Sequence, residues 1–304
     1  FAAGCQNTTL FHDLNFLAYH GKRFSDNEHH LMWFNGEALF AVMPMAIFEE
    51  KGRMIAKSPY GASYGGIITQ KRLTYSKAAE CADSLVAYLE EQQVVECRIT
   101  PPIRCCGVDY DETLLFAMLE RGFRITNSDI SSVVDLNAGE IWQNIHSKSR
   151  NMVRKAEKLG VTVSFKDGVD SFWELMDATY ARHGVNPTHS KEQWTDLQNR
   201  FPGRIWCDIA YWDEKPIAGV GHFAINERVD SSFYLARNPE YHDTQGMFLL
   251  ISEVLKASKE AGYQYFDFGT SSVNMQARAN IFLFKERFGA HGEFRHTLSW
   301  ERKE

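Results

Sequence analysis

Positive charge is concentrated in "SKSRNMVRKAEKLGV" (147–161), within a chain whose formal net charge is -6. Arg150, Arg154 and Lys158 recur every fourth residue and so share one helical face. Lys148 and Lys155 flank them, and Glu157 is the only acid. Arginine can grip two oxygens of an anion and lysine adds a point charge, so this cluster could hold a phosphate. It could also be the solvated face of a linking helix. The second chemical candidate is Asp267 in "YQYFDFGTSS", set between Phe266 and Phe268 and ahead of Gly269 and three hydroxyl residues. A carboxylate in apolar surroundings is a reasonable proton acceptor, although it could equally receive hydrogen bonds from the following turn and shape the chain. The third is Lys285 in "NIFLFKERFGA", beside Phe284 and Phe288. It is either a functional ammonium or a surface lysine whose stem covers apolar neighbours.

Other residues also carry two readings. Tyr60 and Tyr64 in "SPYGASYGG" (58–66) could stack on a sugar or base while the glycines allow close backbone approach, or belong to an ordinary twisted loop. His222 and Tyr234 fall on central strands, where they could meet a substrate or relay a proton, or be satisfied core side chains. Arg182 and His183 end a helix and either complement its dipole or touch a substrate. Thr244, Gln245 and Gly246 open another helix, whose bare amides could take a phosphate. No hydrolase motif, Walker loop or metal cluster occurs.

The elements that must position these residues repeat. "RIWCDIAYWDEKPIAGVGHFAI" (204–225) reads as a hairpin turning at Asp213-Glu214-Lys215-Pro216, followed by a strand "VDSSFYLAR" (229–237). A helix (244–262), a short strand "YQYFDFG", a helix around "NIFLFKERFGA" and a last strand "GEFRHTLSW" complete the unit. The N-terminal half gives the same order. "HLMWFNGEALFAVMPMAIF" (30–48) is a hairpin at Asn35-Gly36, with a helix over 75–93 and a strand over 94–99. "LLFAMLERGF" then aligns on "NIFLFKERFG", with Glu120 facing Glu286 and Arg121 facing Arg287. Leu119 faces Lys285, so only the second copy has the lysine. The pattern predicts two α/β units of one topology, the first carrying the added Gly/Ser/Tyr loop. The units are expected over 1–138 and 139–304, the second opening with the basic helix 140–160. That helix is expected to bury Ile141, Ile145, Met152, Ala156 and Leu159.

Bulk properties narrow the class. The composition, 44% hydrophobic and acidic overall, fits a globular protein and opposes a broad nucleic-acid footprint. No apolar run approaches the ~20 residues that span a bilayer, and no signal peptide is visible from Phe1. The six cysteines have no zinc spacing and are expected to be reduced, mostly buried thiols. These features point to a soluble, cytoplasmic protein, with no stable DNA binding and at most peripheral membrane association.

In order and spacing, "SRNMVRKAEKLGV", "DATYARHGVNP", "KPIAGVGHF", "YQYFDFGTS" and "FLFKERFGA" resemble the Fem-type peptidyltransferases, which carry two GNAT-type acyltransferase units in tandem. The resemblance covers essentially the whole chain, most closely 141–290. It implies a mixed central sheet flanked by helices in each unit, with the first unit non-catalytic and the second catalytic. It also implies amide formation on an amine of a nucleotide- or lipid-linked envelope precursor. In that family the stretch between the units helps hold acceptor phosphates, which points to Lys148, Arg150 and Arg154. The lysine of the "FK..FG" helix lies near the reacting centre, so Lys285 would stabilise the oxyanion or neutralise donor phosphate. Related transferases of this fold have a functional aspartate on a strand comparable to that of Asp267. The donor is acyl-CoA or aminoacyl-tRNA, used as a co-substrate; no permanently bound cofactor and no metal is expected. The glycine-rich pyrophosphate loop of CoA-dependent members survives here only as Thr244, Gln245 and Gly246, a departure that leaves the donor open. Two other functions stay in view: an acyl-CoA-dependent acetyltransferase for a small amino sugar or amino acid, and a catalytically silent binding module.

Overall fold

Two hydrophobic cores divide the chain. A computed structural model describes residues 1–181 and 186–303; Arg182 and His183 lie outside the described residues. One unit holds Phe1–Ile130, Asn274–Gln276 and the stretch from Phe294 onward; the other holds Ser131–Val273 and Ala277–Glu293.

In the first unit a short helix α1 (Leu14–Leu17) precedes β1 (Leu31–Asn35) and β2 (Ala38–Met43). The Asn35–Gly36 turn does form, but β1 and β2 join β5 (Ile68–Thr69) in a separate three-stranded sheet. The main sheet is instead entered by β3 (Ala46–Glu50) and β4 (Arg53–Ser58), which pair antiparallel around Lys51 and Gly52, both at positive φ. The hairpin expected from the sequence at Asn35–Gly36 thus lies outside the main sheet; Asn-Gly is simply the louder turn signal of the two. After β4 come α2 (Tyr75–Glu91), β6 (Glu96–Ile99), α3 (Thr113–Glu120) and β7 (Arg124–Asp135). Thr74 caps α2 by accepting from the Lys77 N–H. The helix buries Ala78, Cys81, Ala82, Leu85 and Leu89, one stripe at helical spacing, against a core that includes Cys97, Ile99 and Trp300. β15 (His291–Glu301) pairs antiparallel with β6 from Leu298 onward.

The second unit opens with α4 (Ile141–Asn144) and α5 (Ser147–Lys158). The expected single helix is therefore broken, with Ile145 extended between the two and His146 as N-cap of α5. The buried face of α5 is also rotated from expectation. Ile141, Ile145 and Ala156 are buried as expected and Met152 is half-buried, but Ser149 and Val153 join the inward face and Leu159 is 43% exposed. The rest of the unit is β8 (Thr162–Ser164), α6 (Val169–Ala181), α7 (Lys191–Arg200), β9 (Ile205–Trp212), β10 (Lys215–Ala224), β11 (Val229–Arg237), α8 (Gly246–Glu260), β12 (Tyr265–Thr270), the short β13 (Ser272–Val273) and β14 (Gln276–Ala277), and α9 (Ala279–Glu286). Its strands run β12-β11-β10-β9-β8 across the sheet. Gly219 and Gly221 on β10 are required by packing: a Cβ on either would meet the Phe172 ring of α6 at 2.9 and 2.8 Å. All six cysteines are buried and free.

Candidate functional site

The parallel strands β11 and β12 form a fork. They pair only over Val229–Ser231 and Tyr265–Asp267, while β11 continues along β10 to Arg237. The ladder with β10 then slips. Gly221 faces Tyr234 and His222 faces Ser232, so Phe233 is an extra residue without a partner, a bulge that re-aims the chain beside the opening.

Asp267 occupies the last paired position, opposite Ser231. It is 2% exposed, and its Oδ1 accepts from the Ser131 hydroxyl at 2.6 Å and from the Gly269 N–H at 2.8 Å. Gly269 has φ +73, a conformation glycine adopts without strain. The turn it makes presents two carbonyls, of Gly269 and Thr270, to Lys285 Nζ at 2.7 and 2.8 Å. Lys285 is 4% exposed. Burial draws its pKa down to about 8, opposed by the charge of Asp267. Asp267 and Lys285, singled out separately in the sequence, thus meet on one turn at the fork. Ser131 was missed, because one serine in "DISSVVD" gives no chemical signal.

The end of α9 touches the basic helix, since the His146 N–H donates to the Arg287 carbonyl at 2.8 Å. His146 Nδ1 accepts from the Lys148 N–H, which places Lys148 and Arg150 in the first turns of α5. There the helix dipole disfavours cations, and the amide ends and the charges both favour an anion. Arg150 is half-buried and donates to the Trp142 carbonyl at 3.4 Å. Arg154 donates to Asn151 Oδ1 and sits 5.3 Å from the centre of the Trp142 ring.

Thr244, Gln245 and Gly246 do meet at the start of α8, but their polar atoms are engaged within the turn. The Thr244 hydroxyl donates to the Tyr241 carbonyl at 2.6 Å and accepts from the Gly246 N–H at 3.3 Å. Gln245 is left-handed at φ 60, and its amide donates to the His242 carbonyl. A Cβ at Gly246 would run into the Ile217 side chain, so packing alone favours glycine there. What remains to attract a donor phosphate here is the positive end of a fifteen-residue helix.

The tyrosines are core residues. Tyr60 is 2% exposed and donates to Glu28 Oε1 at 2.9 Å; Tyr64 is 3% exposed, with Phe11 at its edge and the Arg295 guanidinium over its ring. Neither offers a free face for stacking on a sugar, contrary to expectation, because the loop folds inward. In doing so it closes the first unit's counterpart of the fork. There β4 and β6 pair through Ser58–Ile99, and the ladder continues as Thr100 N–H donates to the Ser58 carbonyl and Gly65 N–H to the Thr100 carbonyl. Gly65 must be glycine, since a Cβ would strike Ser58 and Pro59 at 2.5 Å. Tyr234 is also buried, its hydroxyl shared with the backbone N–H and Nδ1 of His189. His222 is sealed in the core between two carboxylates, with Nδ1 3.0 Å from Asp230 Oδ1 and Nε2 3.1 Å from Asp208 Oδ2. Burial would lower its pKa, but Asp230 and Asp208 outweigh that and raise it to about 10. It is a core charge hydrogen-bonded through Nδ1 to Asp230 and facing Asp208 through Nε2, whose geometry there falls short of a hydrogen bond.

Residues 143–276 match the model of the Acetyltransferase (GNAT) domain. By sequence, none of the curated proteins matches the chain. Among solved structures, FemX superposes with a TM-score of 0.68 at 13% identity, covering 90% of this chain and 88% of that one. The C-terminal domain of a lysylphosphatidylglycerol synthetase from Agrobacterium fabrum gives 0.62 at 13%, covering 94% and 86%. A tandem GNAT protein from the clavulanic acid biosynthesis pathway gives 0.53 at 10%, covering 94% and 87%. At these identities the superpositions establish the fold. The chain therefore carries an acetyltransferase domain of the GNAT type over 143–276, within a fold that it shares along most of its length with FemX and the tandem GNAT protein.

Proposed function

We propose that the protein forms an amide by passing the acyl group of an acyl-CoA to an amine on a phosphorylated, nucleotide- or lipid-linked envelope precursor. The observation that carries this reading is the anchoring of Asp267 and Lys285 on one turn at the β11–β12 fork. The donor supplies an activated thioester carbonyl. The amine nitrogen forms the new C–N bond as the C–S bond breaks, and the amine's proton passes to Asp267, directly or through the Ser131 hydroxyl bonded to it. Lys285 has three N–H donors, two of them on the turn's carbonyls; the third is available to the carbonyl oxygen as charge develops on it. Lys148, Arg150 and Arg154 on α5 hold the acceptor's phosphate. The GNAT domain match favours CoA over aminoacyl-tRNA as donor, and the resemblance to FemX and to a lysylphosphatidylglycerol synthetase supports an envelope acceptor.

The test is thiol release from acyl-CoAs of increasing length in the presence of amino-sugar nucleotides. Lys285→Ala should lower kcat/KM by about a hundredfold. Arg150→Ala should raise the KM for a phosphorylated acceptor while leaving kcat in place. Full turnover in Lys285→Ala would remove Lys285 from the chemistry.

A further inference from the structure

The outward side of α5 carries two charges, Lys155 and Lys158, that neither the fold nor the acyl-transfer reading uses. Several cations elsewhere are paired with neighbouring carboxylates: Arg72 with Asp109, Lys77 with Glu80, Arg121 with Asp83, Lys191 with Asp170 and Arg200 with Asp196. Among the described residues, Lys148, Lys155 and Lys158 form no ion pair with a carboxylate, and all three are exposed. Helical spacing puts Lys148, Lys155 and Leu159 on one line along the helix. Leu159 is 43% exposed there, and a few residues on, past β8, Phe165 is 46% exposed and followed by exposed Lys166. The segment from α5 past β8 thus exposes a leucine and a phenylalanine interleaved in sequence with lysines that form no ion pair.

We infer that this face docks on an anionic phospholipid surface, with the lysines against the headgroups and Leu159 and Phe165 entering the interface. Cations flanking exposed apolar side chains suit such a surface, where charge attracts and the apolar groups hold. An RNA partner fits less well. α5 is only about 18 Å long by its rise per residue, the chain as a whole is acidic, and an exposed leucine, unlike an aromatic ring, offers no stacking platform for a base. The inference shares α5 and Lys148 with the phosphate site, but its test changes only Lys155, Lys158, Leu159 and Phe165, and it is read without donor or acceptor. Its failure and the failure of the acyl-transfer reading are therefore distinguishable.

The experiment is co-sedimentation of the full chain with phosphatidylcholine vesicles that contain or lack phosphatidylglycerol. Binding is expected only with phosphatidylglycerol and should weaken as salt rises. The double variant Lys155→Glu, Lys158→Glu should lower partitioning by roughly tenfold or more. Leu159→Ser with Phe165→Ser should also lower it, while thermal melts by circular dichroism stay at the wild-type midpoint. Equal partitioning with and without phosphatidylglycerol, or no effect of the charge reversals, would overturn the inference. Tight binding of bulk tRNA that the Leu159 and Phe165 changes leave intact would overturn it in favour of an RNA surface.

Discussion

Lys285 gives up most of its hydration beneath the Gly269–Thr270 turn, and its pKa of about 8 has a direct kinetic consequence. If its charge stabilises the oxyanion, kcat/KM should fall as pH rises through about 8. Lys285→Arg should move that fall to higher pH, because a guanidinium stays protonated. Stopped assays over the pH range read this; an alkaline limb unchanged in Lys285→Arg would exclude the lysine as its source. The folded state also holds this proton less tightly than the unfolded chain, so the sign for stability follows. Relative to Lys285→Met, the wild type should gain stability as pH rises from about 8 toward 10.5, by at most about 3 kcal/mol. His222 has the opposite sign. Its pKa is raised to about 10, so its stabilisation is complete below about 6.5 and lost as pH climbs through 10. His222→Leu would leave Asp208 and Asp230 buried against each other and should cost about 3–5 kcal/mol in urea unfolding at pH 6. The gap should narrow at pH 9.5.

Among elements, the fork and the helix packing above it depend on β10. Gly221→Ala would drive a methyl into Phe172 and Trp194 and should destabilise the protein by about 1–3 kcal/mol. Turnover should fall as well, since β10 also sets the register of the bulge at Phe233; denaturation midpoints and kcat measured together check this. The same elements mark what the sequence reveals. "YFDFG" and "FKERFG" were legible because a charge flanked by phenylalanines stands out in one dimension. The duplication was legible through "LERGF" and "KERFG". The bulge was not, because an extra residue in a strand is a matter of register with its neighbour, which no single segment carries. The Asp208–His222–Asp230 array was half legible. One acid inside each of the apolar runs "IWCDIAYW" and "VDSSFYLAR" marks a charge that must be buried, but not its partner. The inward turn of Tyr60 and Tyr64 was misread because glycine-rich composition describes a tight buried loop as well as an open one.

On the scale of the whole molecule, the two units share a topology but differ where their parallel strands end. Each unit has a parallel strand pair joined through a helix, but β11 and β12 separate after three residue pairs, whereas β4 and β6 stay hydrogen-bonded into the loop that follows. Calorimetric titration with an acyl-CoA should therefore give one donor per chain; a stoichiometry of two would mean that the first unit opens. The closed pair also supplies something an experimenter rarely has, an internal reference. Donor-dependent slowing of amide hydrogen exchange that appears in β11 and β12 and spares β4 and β6 would be normalised within the same molecule, against a strand pair of the same topology.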